Sequence, residues 1–434
     1  MKLLLKGGRV IDPSQDLDAV ADILIEDGRI SKINVDISPS EAGSTDTPRV
    51  IDLKDKIVAP GLIDMHTHLR EPGFEYKETI KTGSEAAVAG GFTSIACMAN
   101  TDPVNDNRSV TEFILKQAGL AARAHVYPIA AISKGQAGEI LTEFGDLKGA
   151  GAVAFSDDGN PVTDSGLMRH ALEYASSFDM PVISHCEDQG LSSGGLMHEG
   201  LVSTQLGLPG IPGIAEDIMV ARDIELARFT KTRLHIAHAS TAGSVRAIRQ
   251  AKSAGINVTA ETAPHYFVLT DEALRGFSTH FKMYPPLRST DDVEAIKEGL
   301  RDGTIDAIAS DHAPHSSVEK DVEFAYAANG IIGLETSLSI CLKLVQEGVL
   351  TIHQLIQKMS TNPARILKIP KGSLAPGCDA DITVIDPNTA WTVDAGAFYS
   401  KGRNCPFHGW DLMGKAIMTI VGGDVKFPDP GVGA

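Results

Sequence analysis

The pattern of apolar and polar positions changes character twice along the chain. Residues 1–56 carry short alternating runs, LLLKGGRVID and ADILIEDGRISKINVDI, broken by Gly and Asp. This is the signature of antiparallel strands and hairpins. The C-terminal stretch repeats it in DADITVID and KAIMTIVGGDVKF. Two β-rich ends around a different middle predict one composite β-domain, 1–56 with 372–434, beside a central domain over 57–371. The polar run SPSEAGSTDTP at 38–48 predicts a mobile surface loop.

The middle alternates between two periods. Apolar strand candidates lie at 57–65, 93–99, 124–132, 152–156, 181–185, 233–239, 256–262 and 305–311. Most are separated by stretches with helical spacing of apolar residues, at 76–89, 107–121, 164–177, 216–229, 242–254 and 291–301. Near-continuous apolar strands alternating with amphipathic helices make a parallel sheet covered by helices, and eight such units predict a (β/α)8 barrel of the TIM type. An open doubly wound sheet is the alternative, but no GxGxxG follows the first strand to support it.

Length and composition fit this reading and narrow the function. A chain of 434 residues accommodates one barrel and a smaller second unit. A net charge of −17, with no dense Lys/Arg run, argues against nucleic acid or anionic lipid as partner, so an anionic substrate needs a local basic patch. MKLLLKGGRVID lacks a signal-like apolar region, and no stretch approaches the roughly 18 apolar residues of a membrane span, which predicts a cytoplasmic protein. The five cysteines, Cys97, Cys186, Cys341, Cys378 and Cys405, are scattered without a CxxC pair and predict reduced, mostly buried thiols.

Barrels of this type place their chemistry at the C-terminal ends of the strands. The first candidate ends in His66-Thr67-His68, where a spacing of two points both imidazoles to one side. The fourth runs into Asp157-Asp158-Gly159, the fifth ends at His185, the sixth at His238 and the eighth at Asp311. Each alone fits an ordinary role as a capping carboxylate or a core histidine bonded to backbone. Five strands ending in His or Asp together predict a shared site.

Four histidines with two carboxylates form a ligand set suited to Zn2+, with Mn2+ or Co2+ as substitutes. Six ligands exceed the need of one tetrahedral ion, whereas two ions about 3.5–4 Å apart that share a bridging carboxylate use all of them. Such a site serves hydrolysis of an unactivated amide, because the metal acidifies bound water and polarises the carbonyl under attack. A carboxylate must then carry a proton to the departing nitrogen, and Asp311 suits that role. Arg70, two residues past His68, offers a planar fork for a substrate carboxylate, or pairs on the surface with Glu71. Asn100 and His315 are candidate substrate contacts or turn residues.

The runs PGLIDMHTHLREPG (60–73), MANTDP (98–103), FSDDG (155–159), ISHCED (183–188), HIAHAST (235–241), PPLR (285–288), SDHAPH (310–315) and GIIGLET (330–336) resemble those of the amidohydrolase superfamily. More narrowly, they resemble class I bacterial dihydroorotases, and the likeness continues into KGSLAPGCDADITVIDP (371–387). The resemblance implies metal ligation by His66, His68, His185, His238 and Asp311, with Asp158 as the bridging carboxylate. It implies substrate contacts at Arg70, Asn100 and His315 and at the Asn329-Gly330 backbone. The implied reaction is the reversible, zinc-dependent interconversion of dihydroorotate and N-carbamoyl-aspartate in pyrimidine biosynthesis, with one or two Zn2+ ions per subunit. The implied assembly is a homodimer, which in some relatives associates with aspartate transcarbamoylase.

Hydantoinases, dihydropyrimidinases and allantoinases are similar too, but typically bridge their metals with a carboxylated lysine, where this chain has Asp157 and Asp158. A non-catalytic structural partner of aspartate transcarbamoylase is a further alternative, although such relatives generally lose metal ligands that this chain keeps. Two departures stand out: MANT replaces the usual MPNT, and Tyr284 stands where the family normally has a substrate-contacting asparagine. A phenol cannot reproduce an amide's paired donor and acceptor. The segment 316–330, SSVEKDVEFAYAANG, has the composition of a surface loop and is expected to order over the site when substrate binds.

Overall fold

The computed structural model describes residues 2–38 and 48–428. Most of the predicted loop at 38–48 and the tail 429–434 therefore fall outside the described residues. Eight strands, one set from each end of the chain, form a single sheet whose order runs Asp424–Phe427, Asp411–Val421, Ile382–Thr392, Ile57–Pro60, Lys2–Asp12, Leu17–Glu26, Arg29–Asn34, with Arg49–Asp52 also pairing Lys2–Asp12. The two ends meet where Ile382–Thr392 runs antiparallel to Ile57–Pro60. Leu3, Leu5, Ile23 and Ile25 pack there against Ile382, Val384 and Ile420.

Not every strand of this sheet is antiparallel. Arg49–Asp52 and Ile57–Pro60 both run parallel to Lys2–Asp12. Alternation with period two is identical in either direction, so the pattern marks strands without orienting them. The predicted strand at 57–65 is likewise two strands, Ile57–Pro60 in the terminal sheet and Leu62–Thr67 in the barrel. The break falls at Gly61, where an added Cβ would lie 2.1 Å from Thr93 Oγ1. We propose that the two sheets mark two domains, with Ile57–Pro60 counted to the terminal sheet.

The second sheet contains the eight predicted barrel strands: β1 (Leu62–Thr67), β2 (Phe92–Cys97), β3 (His125–Ala130), β4 (Ala154–Phe155), β5 (Val182–Ser184), β6 (Leu234–Ile236), β7 (Val258–Thr262) and β8 (Ala307–Ile308). Neighbours pair in sequence order and in parallel. A parallel bridge between Thr67 and His312, with His68 N–H donating to His312 O at 2.8 Å, brings the last strand's extension back to the first. The fold is a (β/α)8 barrel. Its interior is filled by Ile63, Met65, Ile129 and Ile183 fitted against Ala96, Ala154, Ala237 and Ala307, and by Ile366 and Leu367 from the helix Asn362–Leu367. Large side chains opposite alanines make a packed core rather than a pore.

The predicted helices appear as Ile80–Ala89, Arg108–Ala121, Ser165–Ser176, Ile214–Thr230, Ala242–Ser253 and Thr290–Asp302. The first begins later than position 76 because the Thr79 side chain caps the N–H of Thr82.

Candidate metal centre

His66 and His68 leave the end of β1 buried, and each is oriented from behind. His66 Nδ1 donates to Glu261 Oε1 at 2.6 Å, and His68 Nδ1 donates to Asn100 Oδ1 at 2.9 Å. Both acceptors hold the proton on Nδ1, so Nε2 carries the lone pair that faces the site. His66 Nε2 is buried without a hydrogen-bond partner.

Asp158 sits between two histidine pairs. Its Oδ2 lies 3.4 Å from His66 Nε2 and 3.5 Å from His68 Nε2, and its Oδ1 lies 3.2 Å from His238 Nε2 and 3.5 Å from His185 Nδ1. Asp311 closes the first pair, with Oδ1 3.2 Å from His68 Nε2 and 3.5 Å from His66 Nε2. In the second pair His185 Nδ1 and His238 Nε2 approach to 2.8 Å. His185 Nε2 donates to Glu187 Oε2 at 3.3 Å, which turns Nδ1 toward Asp158.

The electrostatics ask for positive charge at this place. Burial opposes an imidazolium at His66, yet Asp158, Asp311 and Glu261 together raise its pKa well above the usual histidine range. Burial would also raise Asp158 and Glu261, but facing histidines hold Asp158 well below the usual carboxylate range and Glu261 down to about 2. A proton on His66 or metal ions at the converging atoms would meet this demand. Two trios that share Asp158, His66 with His68 and His185 with His238, each have donor atoms within 4.8 Å of one another. The orphaned Nε2, the shared carboxylate and the N/O donor set all fit one or two divalent ions.

Asp157, the other aspartate of the pair, faces away. It accepts from Ile132 N–H at 2.7 Å and Ser133 N–H at 3.1 Å, and so caps the turn after β3. His66, His68, Asp158, His185, His238 and Asp311 converge from five strand ends.

A cavity of about 210 Å3 opens beside them, and Arg70, Asn100, Tyr284, His315, Asn329 and Gly330 line it together with Asp158, His185 and Asp311. Arg70 does not pair with Glu71, whose Oε2 accepts from Ile80 N–H instead. Its Nε donates to Pro314 O at 3.2 Å, and burial lowers its pKa to about 10, so the guanidinium stays charged at neutral pH. His315 Nε2 donates to Asn329 O at 2.8 Å, which makes Arg70 Nη2 at 3.4 Å a neighbour and not its donor. Burial and the Arg70 charge push His315 down to about 3, leaving a neutral imidazole. Tyr284 bonds through its hydroxyl to Glu187, and its ring lies 22° from the His185 plane at 6.1 Å. The phenol thus supports a histidine of the site from a position where an asparagine was expected to touch substrate.

Arg70, His238 and Asp311 have φ of 63°, 33° and 49°. Such left-handed backbone costs a non-glycine residue of order 1–3 kcal/mol and is tolerated where surrounding structure imposes it. Sequence reasoning passed over Glu261, Glu187 and His235. Glu261 was within reach: it is the acidic residue near the end of the seventh strand, and His235 Nε2 approaches its second oxygen at 3.4 Å. Glu187 stands two residues past His185 in the ISHCED run, but that spacing alone does not show that it bonds the histidine.

Residues 55–244 match the family described as Dihydro-orotase-like, and residues 214–427 match the Amidohydrolase family. The chain is 61% identical to a dihydroorotase of Syntrophus aciditrophicus (strain SB), covering 99% of this chain and 100% of the relative. It is 57% identical to a dihydroorotase of Geobacter metallireducens, covering 98% and 100%. Among solved structures, an L-hydantoinase (dihydropyrimidinase) from Arthrobacter aurescens superposes with a TM-score of 0.87 at 27% identity, covering 98% of this chain and 95% of the other. A dihydropyrimidinase from Brevibacillus agri gives 0.84 at 26% identity over the same shares.

Proposed function

The chain belongs to the dihydroorotase family of amidohydrolases, and from that premise we propose how its own residues carry out reversible hydrolysis of the cyclic amide of dihydroorotate to N-carbamoyl-aspartate. It is a hydrolase of carbon–nitrogen bonds in cyclic amides. The observation that carries the reading is the division of Asp158 between two histidine pairs at the mouth of a cavity that holds a buried, charged arginine.

His66, His68 and Asp311 would hold one ion, His185 and His238 a second, and Asp158 both. Bound there, divalent metal supplies acidified water and a polarised carbonyl. In hydrolysis the ring C–N bond breaks, oxygen joins the carbonyl carbon and a proton joins the nitrogen. Asp311 accepts the proton of the attacking water and passes it to that nitrogen; in ring closure it moves the proton back. Arg70 receives the substrate carboxylate on its planar fork, with Asn100, His315 and the Asn329-Gly330 turn completing the wall. Tyr284 acts on Glu187 and His185 in this scheme. The native metal as Zn2+, one or two ions per subunit, a cytoplasmic homodimer and an association with aspartate transcarbamoylase belong to the same proposal. Elemental analysis of protein purified without added metal and sedimentation with and without the transcarbamoylase test them.

Hydantoinases share the fold, but an aspartate at the bridging position and the far higher identity to dihydroorotases favour the present reading. Dihydroorotate, hydantoin and allantoin assayed at one enzyme concentration decide between them. Arg70→Lys keeps the charge and loses the fork. It should raise KM for dihydroorotate more than for an uncharged cyclic amide; equal loss on both would make Arg70 structural.

A further inference from the structure

Two lysines that the reaction does not use are buried behind one wall of the cavity. Lys282 is 4% exposed and Lys320 is 3% exposed. Lys282 Nζ donates to the carbonyls of Phe324, Ala325 and Ala327 at 2.8, 3.0 and 2.8 Å. Lys320 Nζ donates to the carbonyls of Ala328, Gly330 and Lys282 at 2.8, 3.0 and 3.4 Å. An ammonium has three N–H donors, so both groups are saturated, and by peptide oxygens alone. Five of those six carbonyls belong to the segment 324–330.

The same segment is fixed from other sides. Gly330 N–H donates to Lys282 O at 3.0 Å, and the Gly330 carbonyl receives Asn404 Nδ2 at 3.0 Å as its second donor. Gly330 has a φ of 142°, and a Cβ there would lie 2.8 Å from Ala313 O. A loop that opens freely keeps its carbonyls in water. This one has its carbonyls turned inward onto two buried lysine Nζ groups, while Tyr326 on its outer side is 82% exposed. Loss of either ammonium would leave three inward carbonyls without that donor, a penalty that opening the segment to water relieves.

We propose that Lys282 and Lys320 are positioning residues that hold the segment 324–330 fixed, so that its Asn329 and Gly330 form a wall of the substrate cavity already in place before substrate arrives. This runs against the expectation of a loop that orders on binding. It rests on the reading of the cavity as the substrate site, and the test separates the two.

The experiment uses metal-loaded enzyme and the variants Lys320→Met and Lys282→Met, which keep the stem and lose the donors. Chymotrypsin cleavage near Tyr326 is followed with and without saturating N-carbamoyl-aspartate. Wild-type protein should be cut slowly and at nearly the same rate in both conditions. Lys320→Met should be cut about tenfold faster without ligand, because proteolysis follows the population of the open segment. Its KM for dihydroorotate should rise about tenfold with kcat and metal content near wild type, the pattern of a lost binding wall. Strong ligand protection of the wild type, or wild-type cleavage of both variants, would overturn the proposal. Faster cleavage with unchanged KM would leave the pinning standing and sink the cavity as substrate site. Should neither variant fold, amide exchange at Ala327–Gly330 in ligand-free wild type decides: slow exchange supports the fixed wall and fast exchange overturns it.

Discussion

Asp311 and His315 line the same cavity, and the proposed mechanism gives the proton to Asp311 alone. Asp311 has an oxygen toward His66 and His68 and a left-handed backbone that holds it there. Asp311→Asn keeps the shape and a weak ligand but removes the base, so both directions of the reaction should slow by at least ~10²-fold, the scale of a positioned general base. A variant with full metal content and near-normal rates would assign the proton to another group. His315, pushed down to about 3 by burial and Arg70, should remain neutral throughout the working range. Unfolded histidine binds a proton below about 6.5, whereas this folded one does not until about 3, so its contribution is fully present above 6.5 and stability falls on acidification through that window. His315→Asn should therefore lose less Tm between pH 7 and 5 than wild type does. Imidazole resonances of His315 that titrate near 6.5 would contradict this.

At the scale of elements, three of the site's histidines are braced by a neighbour: His66 by Glu261, His68 by Asn100 and His185 by Glu187. β7 supplies no predicted ligand, yet its Glu261 fixes the ring of His66 on β1 across the barrel, and His235 on β6 stands behind that carboxylate, itself bonded to Thr259 Oγ1 at 2.8 Å. Partners that orient a ligating histidine typically change metal affinity 10–100-fold when removed. Glu261→Gln keeps an acceptor and should weaken metal binding modestly, whereas Glu261→Ala leaves His66 Nδ1 unpaired and should reach that range in a chelator competition. Equal, unchanged affinities in both variants would reduce Glu261 to filler of the barrel core.

For the molecule as a whole, the apolar interior holds the barrel together, and on the proposed reading bound metal would tie its rim. His66, Asp158, His185, His238 and Asp311 lie at the ends of β1, β4, β5, β6 and β8, so bound ions would link five strands. Removing metal with a chelator should lower Tm by several degrees, since a ligand held at 100 times its Kd adds about 2.7 kcal/mol. The circular dichroism of the folded state should persist, because Ile63, Met65, Ile129 and Ile183 remain packed. Loss of helical signal at room temperature on chelation would make the metals part of the fold itself.

Much of this was legible along the chain. Eight apolar runs at the spacing of strands and helices specify a parallel barrel whatever their exact contacts, because burial on both faces demands that pattern. Histidines and aspartates at strand ends specify convergence, because every parallel strand ends at the same rim. Strand direction in the terminal sheet and the break at Gly61 were not legible, since each depends on what a strand or a glycine meets from a distant segment. The same holds for Tyr284 turned to Glu187 and for Lys282 and Lys320 turned to backbone carbonyls. Local periodicity fixes which face of an element is apolar; only tertiary packing decides which buried polar group finds which partner, because that partner lies tens to hundreds of residues away and the cost of leaving it unpaired exists only once the interior has formed.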